Sequence, residues 1–210
     1  AGSTITNTKY WGNGYSDWAD MTAGNTNASQ YFGYELPLGY LTSPSYVIKY
    51  AVGGSNLHTQ WDHNGSNNNL YINWLNIVTT ALDTFNKPYQ VVGMAWMQGE
   101  SDTGNATDAG NYETNLTEFI AAVRTVVGFP KMRFGIGKIY VPNGNQTNVN
   151  IVRTAQQAVA DADDNVFVIE TNDLSMHDSI HYDGTALITM AERFITGYGR
   201  ITSTTPTSPT

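Results

Sequence analysis

The chain contains no cysteine. Disulfides, thiolate metal sites and a cysteine nucleophile are thereby excluded together. Nothing follows about compartment, since a core of this size needs no covalent staple. Basic residues are also scarce: Lys and Arg number 10 against 18 Asp and Glu, for a net charge of -8 and a pI near 4.7. They form no cluster or stripe, which sets aside nucleic acid and anionic membrane surfaces as partners. No stretch reaches the roughly 20 apolar residues of a membrane-spanning helix. Ala1-Gly2-Ser3-Thr4 at the start has neither the basic nor the apolar region of a signal peptide, as would also hold for a processed chain. The polar surface draws on Asn, Thr, Ser and Gly more than on charge, a composition that favours an extracellular or virion-surface setting over the cytosol.

What is present suits a globular protein: of 210 residues, 40% are hydrophobic and 12% aromatic. This reads as one domain over residues 1–200, with a Thr/Ser/Pro-rich tail or linker at 201–210. Residues 1–30 lack periodicity and read as an extended surface loop, its Tyr10, Trp11, Tyr15 and Trp18 either buried under the loop or forming a sugar-stacking platform. Residues 31–40 suggest a short helix or turn. Apolar, β-branched runs predict strands at 46–52, 91–95, 133–140 and 166–169. Helical periodicity runs from Asn69 to Lys87-Pro88, from Tyr112 to Val127 with Gly128 as C-cap, over 149–162, and after a cap at Thr185. Strands alternating with helices predict an α/β fold, a three-layer sandwich with a mainly parallel sheet covered on both sides. The count is four strands, and a loop stands where a doubly wound sheet usually opens with its central strand.

Three constellations carry chemistry. Trp96-Met97-Gln98-Gly99-Glu100-Ser101-Asp102 follows a buried-type strand, so an amide and two acids arrive at the carboxyl end of the sheet, where open α/β sheets bind ligands. A strand cap followed by a turn would also account for it. Asp178-Ser179-Ile180-His181-Tyr182-Asp183-Gly184 places a carboxylate three residues before a histidine. Such a carboxylate can hold one imidazole nitrogen and leave the other free to take a proton; an Asp-rich turn with a packed histidine is the plain alternative. Gly53-Gly54-Ser55-Asn56 ends the first strand, where paired glycines can turn a backbone N–H toward a ligand or simply make a turn.

Taken together these blocks resemble the SGNH/GDSL hydrolase superfamily, in particular its sialate O-acetylesterase-like group with the carbohydrate esterase family 6 acetylxylan esterases. The Gly33-Tyr34-Glu35-Leu36-Pro37-Leu38-Gly39 segment is similar to that group's Gly-Pro-Glu block. The resemblance spans about residues 31–197 and implies a flavodoxin-like sheet and a serine carbohydrate O-acetylesterase acting on acetylated sugars. It implies His181 as general base, Asp178 as its orienting carboxylate, and Gly54 (N–H) and Gln98 (amide) as oxyanion donors. Glu100 becomes a member of the catalytic set or the acid that fixes its loop. Trp11, Trp18 and Trp61 are candidate sugar-stacking rings. Neither His58, Asp62 and His63 nor His177, Asp178, His181 and Asp183 has a known ligand spacing, so no metal or cofactor is expected.

One departure stands out. The group's nucleophile is the serine of a Gly-Gln-Ser-Asn block ending the first strand, and neither block nor strand is found here. Ser3 has no strand to hold it, and Ser55 belongs to the oxyanion block. The expectation is a sheet lacking its first strand, with strand and nucleophile on a separate or preceding segment. A non-catalytic carbohydrate-binding or structural domain of a secreted or virion protein is the alternative.

Overall fold

The computed structural model describes residues 4–12, 16–22 and 45–199. Ser3, the 33–39 block, the turn expected over 31–40 and the tail at 201–210 lie outside the described residues. Within them the strands are β1 (Thr4–Gly12), β2 (Ala19–Thr22), β3 (Ser45–Lys49), β4 (Gly93–Met97), β5 (Arg133–Gly137) and β6 (Val166–Ile169). The helices are α1 (Asn69–Asp83), α2 (Ala106–Val127), α3 (Gln146–Asp161) and α4 (Gly184–Tyr198), and a 3-10 turn spans Ser101–Gly104.

Helix boundaries follow from local chemistry. The Asn105 and Asn145 side chains accept from the first free N–H groups of α2 and α3, satisfying donors that a helix cannot pair internally. Gly128 ends α2 at φ 74. At α4 the cap is Asp183, whose carboxylate accepts from Ala186 N, and not Thr185 as expected. Aspartate is the stronger cap, and it stands one residue before the helix.

The described strands form two three-stranded sheets, β2-β1-β3 and β4-β5-β6. The second is wholly parallel, with Met94 opposite Phe134 and Phe134 opposite Val166. One of its faces packs Trp96, Phe134 and Ile136 against α1, α2 and α3 in the main core, while Ala95, Met97 and Phe167 meet α4 on the other. Helices thus cover both sides of a parallel α/β sheet, as in an SGNH-like hydrolase fold.

The N-terminal expectation needs correcting. Residues 4–12 and 19–22 are strands, β1 pairing antiparallel with β2 and parallel with β3. A Thr-rich run has strand propensity without apolar periodicity, so it reads as a loop until its neighbours are known. Six described strands replace the four expected.

Candidate active site

The carboxyl ends of β3 and β4 are joined by one buried carboxylate. β4 ends at Met97, Gly99 turns the chain at φ 135, and the 3-10 turn brings Asp102 back under the loop that follows β3. Asp102 is fully buried. Its oxygens accept from Leu57 N at 3.0 and 3.1 Å, His58 N at 3.2 Å and Gln98 Nε2 at 2.7 Å. Burial holds its proton affinity above the ordinary carboxylate value, against the lowering effect of those donors. The glycine loop is therefore hung from the β4 loop by a charged group, and backbone N–H groups to a carboxylate are among the stronger hydrogen bonds.

Gln98 completes this lock. Its second amide hydrogen goes to Ser55 O at 2.9 Å, so the Nε2 donors are both engaged. The reverse amide orientation would set Oε1 against two acceptors. Tyr112 Oη and Gln156 Nε2 both donate to Gln98 O. The expectation that Gln98 donates to an oxyanion is corrected accordingly: its amide is structural in this arrangement. Asp102 is the acid that ties the two loops through the Leu57 and His58 N–H groups and Gln98.

Gly54 differs. It stands exposed at φ 69, which favours glycine, and its N–H has no partner among the described residues. Ser55 is buried beside it, donating to Val52 O and accepting from Trp61 Nε1, both at 2.8 Å. Trp61 itself is 3% exposed and Trp11 2%, so neither offers a ring face to a sugar. Their expected stacking role is corrected by burial in the core.

The second half of the site is the loop between β6 and α4. His181 Nδ1 lies 2.7 Å from Asp178 Oδ2, and Asp178 Oδ1 accepts from His181 N and Ile180 N. These backbone and imidazole donors hold the Asp178 carboxyl far below its ordinary range. The Asp178 contact leaves Nε2 unpartnered among the described residues, and the imidazole is 63% exposed. The loop is braced: His177 N donates to His181 O, Met176 bridges Tyr182, and Tyr182 Oη donates to Thr171 Oγ1 at 2.7 Å. Arg193 grips Asp173 through two nitrogens, pushing that carboxyl down to about 2.

Glu100 sits between the halves. It is partly buried, its carboxyl raised first by burial and then by Asp102, and lowered by the field of His181. Among the described residues no three His, Asp or Glu gather as metal ligands. The residues that sequence reasoning missed are Asp102, Gln156 and Tyr112, the last read only as core.

The sequence model of the family described as carbohydrate esterase, sialic acid-specific acetylesterase, matches residues 28–200. No curated protein matches the sequence. Among solved structures, a protein from Arabidopsis thaliana superposes at TM-score 0.77 and 16% identity, over 93% of this chain and 82% of its own. A carbohydrate acetylesterase from Xanthomonas citri gives 0.66 and 17%, over 90% and 48%. A carbohydrate esterase family 2 enzyme with a carbohydrate binding domain, from Corynascus thermopiles (Myceliophthora fergusii), gives 0.53 and 11%, over 94% and 67%.

Proposed function

The chain belongs to the sialic acid-specific acetylesterase family of carbohydrate esterases, and from that premise we propose that it removes O-acetyl groups from sugars or polysaccharides through an acyl-enzyme. The observation that carries this reading is the Asp178–His181 pair, with Nδ1 held and Nε2 unpartnered among the described residues.

His181 Nε2 takes the proton of a serine hydroxyl as its oxygen attacks the acetyl carbonyl. The Gly54 N–H donates to the resulting oxyanion. Asp178, and Glu100 when ionised, favour the imidazolium that forms. Collapse expels the sugar oxygen, which takes the proton from His181, and a water deprotonated by His181 then releases acetate and restores the serine. The nucleophile is proposed to come from outside residues 1–210: no hydroxyl among the described residues donates to His181, and that of Ser55 is spent on Val52 O. The Asn-, Thr- and Ser-rich surface supports a place outside the cell or on a virion, where acetylated polymers are met.

The test is aryl-acetate hydrolysis by the full-length protein. His181→Ala is expected to lower kcat at least about 100-fold with an unchanged melting temperature. Activity untouched by that substitution would sink the assignment.

A further inference from the structure

A sugar meets protein most readily on an aromatic face, and the rings first expected to supply one are engaged elsewhere. Trp11 and Trp61 lie in the core, and Trp18 packs edge-on against Trp11, Tyr46 and Phe85. One ring is idle. Among the described Trp, Tyr and Phe side chains, Tyr140 is the one with neither a ring contact nor a hydrogen bond, and it is half-buried.

Tyr140 is placed by the same bonds that order the site. β5 ends at Gly137, opposite Met97 at the end of β4, so Lys138-Ile139-Tyr140 leaves the sheet beside Gln98-Gly99-Glu100. Ile139 is fully buried, and a Cβ added to Gly99 would lie 3.1 Å from its Cγ2. The Gln156 side chain ties the two segments together. Its Oε1 accepts from Ile139 N at 3.0 Å, and its Nε2 donates to Gln98 O at 3.2 Å and Gly137 O at 3.3 Å. Arg153 donates to Ile139 O, and Val141 packs on the main core. The residues on either side of Tyr140 are therefore fixed. Burial pushes the Tyr182 hydroxyl up to about 12, the bond to Thr171 draws it back, and the fields of Glu100, Arg153 and Tyr140 all reach it. Tyr182 follows His181 directly, so Tyr140 stands where Glu100 and the His181 loop meet.

Polar groups lie beside the ring. Glu170 is half exposed and accepts from Lys138 Nζ at 2.9 Å and Arg153 at 2.8 Å, one on each oxygen. A carboxylate has about four lone-pair sites, so it can also accept from hydroxyl donors. A pyranose has the matching division, a flat face of C–H bonds and a rim of hydroxyls. Its weakly positive C–H groups favour the negative face of an aromatic ring. We propose that Tyr140 is the platform on which the sugar ring of the substrate stacks. It is a binding and specificity residue and takes no part in proton transfer. That the sugar carries an acetyl ester rests on the esterase reading above; the stacking itself does not.

Two measurements on the full-length protein test the ring. The first is the ratio of kcat/KM for O-acetylated methyl pyranosides to that for ethyl acetate, which has no ring; such a ratio does not depend on the fraction of enzyme that is folded. Tyr140→Ala should lower it about tenfold, mainly through KM for the sugar esters, while Tyr140→Phe keeps the aromatic face and should stay within about twofold. A ratio unmoved by Tyr140→Ala, or lost equally in Tyr140→Phe, would overturn the proposal. The second is saturation transfer by NMR from the protein's aromatic protons to the methyl pyranosides of glucose, galactose, xylose and N-acetylneuraminic acid, which reads binding without catalysis. At least one sugar should receive it on one ring face from the unsubstituted protein and from Tyr140→Phe, and far less from Tyr140→Ala. Transfer that no sugar receives, or that Tyr140→Ala leaves unchanged, also overturns the platform. Transfer that depends on Tyr140 in a protein hydrolysing neither ester leaves the platform standing and removes the esterase reading; an active esterase whose ratio ignores Tyr140→Ala does the reverse.

Discussion

Two carboxylates flank the candidate site, and each accepts from two successive or nearly successive backbone N–H groups: Asp102 from Leu57 and His58, Asp178 from Ile180 and His181. Their proton affinities nevertheless move in opposite directions, upward at Asp102 and downward at Asp178. The difference is solvent. Asp102 is fully buried, and the loss of hydration outweighs its donors, whereas Asp178 is about half exposed and keeps its water. Counting hydrogen bonds therefore does not tell a lock from a catalytic acid. Asp102 holds two loops together and binds its proton more tightly for being buried; Asp178 holds an imidazole and releases its proton more readily.

The largest expected effect separates the two by function. Asp178→Asn keeps the shape but sets an amide N–H2 or a single oxygen against His181 Nδ1, so the imidazole is no longer held in one tautomer as its proton leaves and returns. In the full-length protein kcat should fall about 100- to 10,000-fold, with only a small fall in melting temperature because the side chain is about half exposed. A fall in melting temperature with activity intact would reverse the roles of the two acids. Asp102→Ala should do the opposite first. It strands the Leu57 and His58 N–H groups and one Gln98 hydrogen in the interior, at about 1–3 kcal/mol for each unsatisfied donor, so urea unfolding should show a loss of at least about 3 kcal/mol. A loss below about 1 kcal/mol would mean water already reaches the lock.

Smaller effects test the residues between. Ser55→Ala removes the acceptor of Trp61 Nε1 and should destabilise by about 1–3 kcal/mol with activity preserved. Abolished activity in a folded Ser55→Ala protein would make Ser55 the nucleophile after all. Gly54→Ala meets nothing within 4 Å of the new Cβ, but must hold φ 69, so it should be weakened by about 1 kcal/mol. Calorimetry checks both.

Legibility in the sequence followed distance along the chain. The helices were readable because Tyr112, Leu116, Phe119, Ile120, Val123 and Val127 repeat within a single element, and all are buried. The Asp178–His181 pair was readable because its partners are three residues apart. The Asp102 lock was not, since its partners are backbone N–H groups 44 and 45 residues away, which no side chain announces. Gln98 misled for the same reason: an amide at a strand end looks available until Ser55 O and Asp102 are seen to claim both hydrogens. For Trp11 and Trp61 the sequence leaves a stacking role open, because their neighbours along the chain are largely polar. Their neighbours in space are not; Trp61 meets Tyr50, Trp96 and Phe119.

The smallest expected signal is also the one that isolates the solvent argument. Asp102, with a folded-state affinity above its ordinary value of 3.8, takes up a proton in the folded protein before the unfolded chain does. Its contribution to stability is thus fully present below 3.8 and lost as pH rises through the raised folded value. Asp178 runs the other way: its contribution is present above 3.8 and lost as pH falls toward its depressed folded value. The difference in unfolding free energy between the unsubstituted protein and Asp102→Asn should therefore shrink as pH rises above 3.8, and the corresponding difference for Asp178→Asn should grow as pH rises from roughly 2 to 4. Glu100, whose carboxyl Asp102 helps to raise, relaxes in the first variant and adds to the same slope. Asp163, Glu170, Asp173 and Asp183 titrate in all three proteins and cancel in each difference. Slopes of the same sign would mean that hydrogen bonds, and not burial, set the affinity of the buried acid, which would then lie below 3.8 in the folded protein.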